Sequence, residues 1–129
     1  MNGVKRLHRV FIYGTLRHAQ RNAHQMQGAR YVGMQRSAPA FTLYDLGTYP
    51  AAVAGGSTRL LGEVHVVAPE LLDRLDAFEG VPELYRRERV RTAYGEAWIY
   101  VMKHVPRHAR PIPHGDWVHW RGRAAEAGA

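Results

Sequence analysis

One carboxylate in this sequence, Glu79, sits among neighbours that would change its chemistry. Leu72 and Leu75 precede it by seven and four positions, so on a helix all three share a face. Asp73, Arg74 and Asp76 fall on other faces of the same helix. A carboxylate among aliphatic neighbours loses water, which raises its pKa. A helix ending at Gly80 would add to this, because the negative end of the helix dipole disfavours a carboxylate there. Both effects move Glu79 toward the neutral range, where a carboxylate can take and return protons. A solvent-facing glutamate at a frayed helix end carries the same pattern.

A second segment with chemical potential is Tyr13-Gly14-Thr15-Leu16. It joins an apolar run to the start of a helical pattern. Glycine lets backbone approach a ligand closely, and the free N–H groups of such a turn suit a carboxylate or phosphate. An ordinary tight turn fits the bare tetrapeptide equally well.

Other reactive residue types are less well arranged. Cysteine is absent, which excludes disulfides, thiolate zinc sites and cysteine nucleophiles. Of eight histidines, His104 and His108 have helical i,i+4 spacing, but Pro106 between them breaks the helix such a metal pair requires. His114 and His119 lie in an equally irregular stretch, so no metal site is expected. Arg86, Arg87, Arg89 and Arg91 run along one strand beside Tyr85, Tyr94 and Trp98. Basic residues among aromatics can bind single-stranded nucleic acid. A half-exposed strand reads the same way, with Arg87, Arg89 and Arg91 on one face and Leu84 and Val90 on the other. The solvated face is the preferred reading.

These residues need a scaffold, and the patterning supplies one. The run 9–13 is a buried strand that stops at Gly14. Leu16, Ala19, Ala23 and Met26 then recur at helical spacing, with Thr15 as N-cap and Gly28 as terminator. Segment 41–46 reads as strand, Gly47-Thr48-Tyr49-Pro50 as loop, Gly55-Gly56 as turn and 60–67 as strand. Pro69 opens a helix whose apolar stripe is Leu71, Leu72, Leu75 and Phe78. Segments 84–93 and 96–102 form a hairpin about Tyr94-Gly95. Beyond about 104 the periodicity fades, and Pro106, Pro111 and Pro113 mark an irregular tail anchored by Trp117 and Trp120.

The expectation is a single α+β domain over 1–129, a small and mainly antiparallel β-barrel with two or three flanking helices. The formal net charge of +7 permits anionic ligands, but no nucleic-acid module pattern is present. Val10-Phe11-Ile12 is too short for a signal peptide core, and no stretch reaches the length of a membrane span. A cytoplasmic protein without membrane or nucleic-acid partners is expected, and its oligomeric state is left open.

Taken together, Tyr13-Gly14-Thr15-Leu16 after a buried strand and Asp76-Ala77-Phe78-Glu79-Gly80 closing a later helix resemble the gamma-glutamylcyclotransferase-like family. Gly47-Thr48-Tyr49-Pro50, Gly62-Glu63-Val64, Tyr85-Arg86-Arg87 and Gly115-Asp116-Trp117 extend the resemblance in order from about residue 9 to 120. The Thr-Leu form of the loop is nearer the gamma-glutamylamine branch and its bacterial relatives.

The resemblance implies a pocket in which Tyr13, Gly14, Thr15 and Leu16 hold a glutamyl group. It maps the catalytic acid/base onto Glu79 and a pocket tyrosine onto Tyr85, with Tyr49 as a further candidate. The implied reaction closes a gamma-glutamyl compound to 5-oxoproline and releases an amine, with no cofactor. A non-catalytic member of the same fold, binding a small carboxylate or acting as an interaction module, is the alternative.

Overall fold

The computed structural model describes residues 6–127, with side chains from 6 to 123, so the expected 1–129 span extends past the described residues at both ends. Strand β1 (His8–Ile12) is the β-branched run around Val10, and alternate residues explain why it is buried on two sides. Val10 and Ile12 pack into one apolar cluster with Leu71, Leu72 and Leu75. Phe11 packs into a second cluster with Leu43, Ile99 and Trp117. A strand with period-two side chains thus feeds two cores at once.

The remaining elements, in chain order, are β2 (Arg30–Arg36), β3 (Phe41–Asp45), β4 (Pro50–Ala54), β5 (Leu61–Val67), α1 (Pro69–Glu79), β6 (Arg86–Thr92), β7 (Gly95–Val101), β8 (Arg110–Pro111) and α2 (Trp117–Ala127). The strands follow the path β2-β5-β1-β7-β4-β3-β8, with β6 pairing β7 beside it. β7 runs parallel to β1 and β4, and the other pairings are antiparallel. α1 supplies residues to the first cluster and α2 to the second.

The expected barrel does not close. β2 and β8 end the path, and β8 is only two residues long, with Pro111 lacking the N–H a ladder would use. The α+β class and the mainly antiparallel pairing stand. Among the described residues, no helix is long and apolar enough to cross a membrane.

Two helical expectations also change. The pattern from Leu16 to Met26 does not form one helix; it forms consecutive turns ending in a 3₁₀ turn, Ala23–Met26. Ala19 is left-handed at φ 64, which interrupts a right-handed helix. The His18 N–H is drawn away to Glu63, and the Asn22 N–H returns to the Thr15 carbonyl. Conversely, the tail expected to be irregular from about 104 contains β8 and α2. Asp116 starts α2 by accepting the His119 N–H at 3.1 Å, and Trp117 is the expected anchor, 2% exposed.

Candidate active site

α1 ends because Gly80 adopts φ 69, a left-handed conformation that glycine accepts without strain. The Gly80 N–H bonds the Ala77 carbonyl at 3.2 Å and the Val81 N–H bonds the Asp76 carbonyl at 3.0 Å. This Schellman arrangement fixes the last helical residue, Glu79, at the wall of a pocket of about 240 Å³. Leu72 and Leu75, on the same face, are buried, as their spacing predicts.

Burial pushes the Glu79 carboxyl up to about 7. The cause is desolvation of the charged form. Phe78, expected in the buried stripe, is instead 40% exposed and lines the same pocket.

Tyr13, Gly14, Thr15, Leu16, Tyr49 and Tyr85 all line this pocket with Glu79. The structure therefore brings together every residue singled out for the site. Their individual geometry is more specific. The Tyr13 hydroxyl donates to the Tyr100 carbonyl at 2.7 Å and accepts the Ala52 N–H at 2.9 Å. It thereby ties the end of β1 to β7 and β4, and its own proton is committed to the backbone. The Tyr85 hydroxyl donates to the Pro50 carbonyl at 2.7 Å. Burial, reinforced by the nearby Glu79 charge, raises both phenols far above their ordinary range, so both remain neutral.

Gly14 is required by close approach. A Cβ there would lie 2.5 Å from Pro50 Cγ. Thr15 is held by Asn22, whose Nδ2 donates to Thr15 Oγ1 at 3.0 Å and whose N–H donates to the Thr15 carbonyl at 2.9 Å. Among the described residues, the N–H groups of Thr15 and Leu16 have no intramolecular acceptor. Both residues line the pocket.

Several contributors were not singled out from the sequence. Tyr100 lines the pocket and donates its hydroxyl to Asp76 Oδ1 at 2.7 Å, where Arg87 Nε also lies at 3.0 Å. Asp76, expected on a face away from Glu79, therefore stands beside the pocket through Tyr100. Its i,i+3 relation to Glu79 was the available signal. Arg21 also lines the pocket and donates to the Thr48 carbonyl at 2.8 Å, joining the loop to the turn that carries Tyr49 and Pro50.

The other candidate groups lie elsewhere. His108 Nε2 is 3.1 Å from the Leu46 carbonyl, and His114 meets His119 edge-on at 5.3 Å. Among the described residues, no group of three or more His, Asp or Glu is placed to hold a metal ion. On the basic strand, Arg86 pairs Glu88, Arg89 pairs Glu96, and both Arg87 and Arg89 lie over the Trp98 ring.

A branched α+β sheet whose main pocket holds a half-buried carboxylate with a raised pKa beside a glycine turn has the makings of an active site. The family described as "Gamma-glutamyl cyclotransferase, AIG2-like" matches residues 10–119. A Vibrio cholerae relative is 42% identical over 110 residues, covering 85% of this chain and 95% of the relative. The Escherichia coli "Gamma-glutamylcyclotransferase family protein YtfP" is 40% identical over 110 residues, covering 85% and 96%. The solution structure of the Escherichia coli protein superimposes with a TM-score of 0.71 over 88% of this chain and 98% of that one, at 36% identity. The crystal structure of PH0828 from Pyrococcus horikoshii gives 0.79 over 92% and 97%, at 28% identity. This chain belongs to the gamma-glutamyl cyclotransferase, AIG2-like family.

Proposed function

We propose that this protein converts a gamma-glutamyl amine or gamma-glutamyl peptide into 5-oxoproline and the free amine, acting in the cytoplasm without a cofactor. The observation that carries this reading is Glu79, a carboxylate raised to about 7 by burial in a pocket that Tyr13, Gly14, Thr15 and Leu16 also line. The α-ammonium of a gamma-glutamyl group must lose a proton before its nitrogen can attack the γ-carbonyl carbon. Glu79 takes that proton; the nitrogen then bonds the γ-carbon and sheds a second proton, and as the γ-C–N bond breaks the departing nitrogen takes up both, one from Glu79, and leaves as an ammonium. A group titrating near neutral pH suits both transfers.

The loop holds the reactant in the geometry of ring closure. The free N–H groups of Thr15 and Leu16 receive glutamyl oxygen atoms, and Gly14 lets the loop sit close to Pro50. Tyr85, its proton committed to Pro50, forms an aromatic wall, and Tyr49 stands beside it. Tyr13 acts mainly by fixing the loop. Fixing the α-nitrogen against the γ-carbonyl favours ring closure by an orientation effect worth several kcal/mol. The Thr-Leu form of the loop supports a substrate preference nearer the gamma-glutamylamine branch and its bacterial relatives.

A panel of gamma-glutamyl amino acids, peptides and alkylamines, with 5-oxoproline read by mass spectrometry, tests the reading. At least one compound should yield 5-oxoproline, and the Glu79→Gln protein should lose at least ~10²-fold in turnover. Near-normal turnover in Glu79→Gln would remove Glu79 from the mechanism.

A further inference from the structure

Two buried charges behind the pocket take no part in the proposed chemistry. Glu63 on β5 is 3% exposed and Arg17, directly after Leu16, is 6% exposed. Both Glu63 oxygens face the His18 N–H, at 3.2 and 3.0 Å, and Oε1 also meets His65 Nε2 at 3.0 Å. Arg17 Nε lies 3.5 Å from Glu63 Oε2, and its Nη1 reaches Asp116 Oδ1 at 3.1 Å. Burial opposes ionisation of both carboxyls. Donors outweigh it: His65, His18 and Arg17 at Glu63, and His119 and Arg17 at Asp116, so both lie below their usual range. A charged carboxylate–guanidinium–carboxylate chain therefore stands behind the loop. Desolvating it costs stability that apolar packing would not.

This line of charges ends at Asp116, the residue before α2. Asp116 caps that helix through the His119 N–H, and one turn on, Trp120 Nε1 donates to Asp45 Oδ2 at 2.8 Å. Asp45 Oδ1 accepts the Gly47 N–H at 2.7 Å, fixing the start of the turn that carries Tyr49 and Pro50. The Arg17 N–H meanwhile returns to the Gly14 carbonyl at 3.0 Å. Asp116 and Trp120 are both absent from the pocket lining, yet Asp116 reaches it through Arg17, and Trp120 reaches, through Asp45, the turn that leads into Tyr49.

We infer that α2 is a brace for the active site: Asp116 acting through Arg17, and Trp120 acting through Asp45, are positioning residues that hold the two pocket walls in register. This rests on the reading that the pocket takes the gamma-glutamyl substrate. Asp116→Asn is the discriminating variant. Asparagine caps a helix about as well as aspartate, so α2 keeps its N-terminus, but Arg17 loses one of its two carboxylates. Glu63→Gln, which preserves volume, removes the other.

In each variant, amide exchange at Arg17, His18 and Asn22 should quicken while the β1–β5 ladder keeps its protection. The value of kcat/KM for the best gamma-glutamyl substrate should fall roughly 10- to 100-fold, mostly through KM, as expected for a misplaced binding loop. Unchanged loop exchange in Asp116→Asn overturns the Asp116 arm of the brace whatever Glu63→Gln does, and unchanged exchange at Gly47 in Trp120→Phe, which lacks the indole N–H that Asp45 accepts, overturns the Trp120 arm. Loss of protection spread evenly through β1 and β5 also overturns it, by showing a merely structural role. If the unaltered protein forms no 5-oxoproline from any gamma-glutamyl compound while loop exchange still responds selectively, the brace stands and the activity reading fails.

Discussion

At the scale of single residues, the chemistry converges on Glu79, and its environment sets a pH signature. In the proposed reaction Glu79 must be unprotonated to accept the ammonium proton, so kcat/KM should fall as pH drops through about 7. Stability runs the other way. The folded protein binds a proton at Glu79 that an unfolded chain, with its ordinary value of 4.5, has already released. The stability this contributes is present below pH 4.5 and is lost as pH rises to about 7. Glu79→Gln should therefore gain up to about 3 kcal/mol relative to the parent at pH 8 and nothing at pH 4, measured by urea denaturation. An equal effect at both pH values would show that Glu79 is not strained. Tyr13 makes a contrasting prediction. Tyr13→Phe strands a buried carbonyl and a buried N–H and should cost about 1–3 kcal/mol, and an unchanged denaturation midpoint would contradict that role. The apolar face around Glu79 is legible because its neighbours are four and seven positions away. The Tyr13 partners, 39 and 87 positions away, are set only by the sheet.

At the scale of elements, the sequence is most informative where local rules act alone. Gly80 as terminator, Pro69 at the first helical turn and Gly95 at the hairpin all hold, because each depends on φ or on a missing N–H. The segment after Leu16 breaks its own helical periodicity because tertiary acceptors compete for its donors. Glu63, 45 positions on, takes the His18 N–H. The opposite error occurs at α2, where prolines at 106, 111 and 113 end before the helix begins and its cap, Asp116, follows Gly115. The loop's position is itself testable. In Gly14→Ala the new Cβ meets the Pro50 ring at 2.5 and 2.9 Å, and a proline ring cannot swing aside. The variant should lose about 1–3 kcal/mol of stability together with most ligand affinity. Parent-like binding would mean that the close approach of loop and Pro50 is not needed.

At the scale of the whole molecule, the α+β class and both candidate segments are readable from the sequence, whereas closure of the sheet is not. Closure depends on where strands branch, and β7 accepts β1, β4 and β6, a choice fixed by contacts distant in sequence. That branching is what brings Tyr13, Pro50, Tyr85, Tyr100 and Glu79 around one pocket. The central claim is that the pocket makes the substrate attack itself, and one comparison tests it most directly: a turned-over gamma-glutamyl compound and its α-N-acetyl derivative, both in ¹⁸O-labelled water. Ring closure needs the α-nitrogen lone pair and takes no oxygen from solvent. The free amine should yield unlabelled 5-oxoproline, and the acetylated compound should remain intact even where it still binds. Labelled glutamate as the main product, or rapid cleavage of the acetylated compound, would show that water is the nucleophile and would contradict the account.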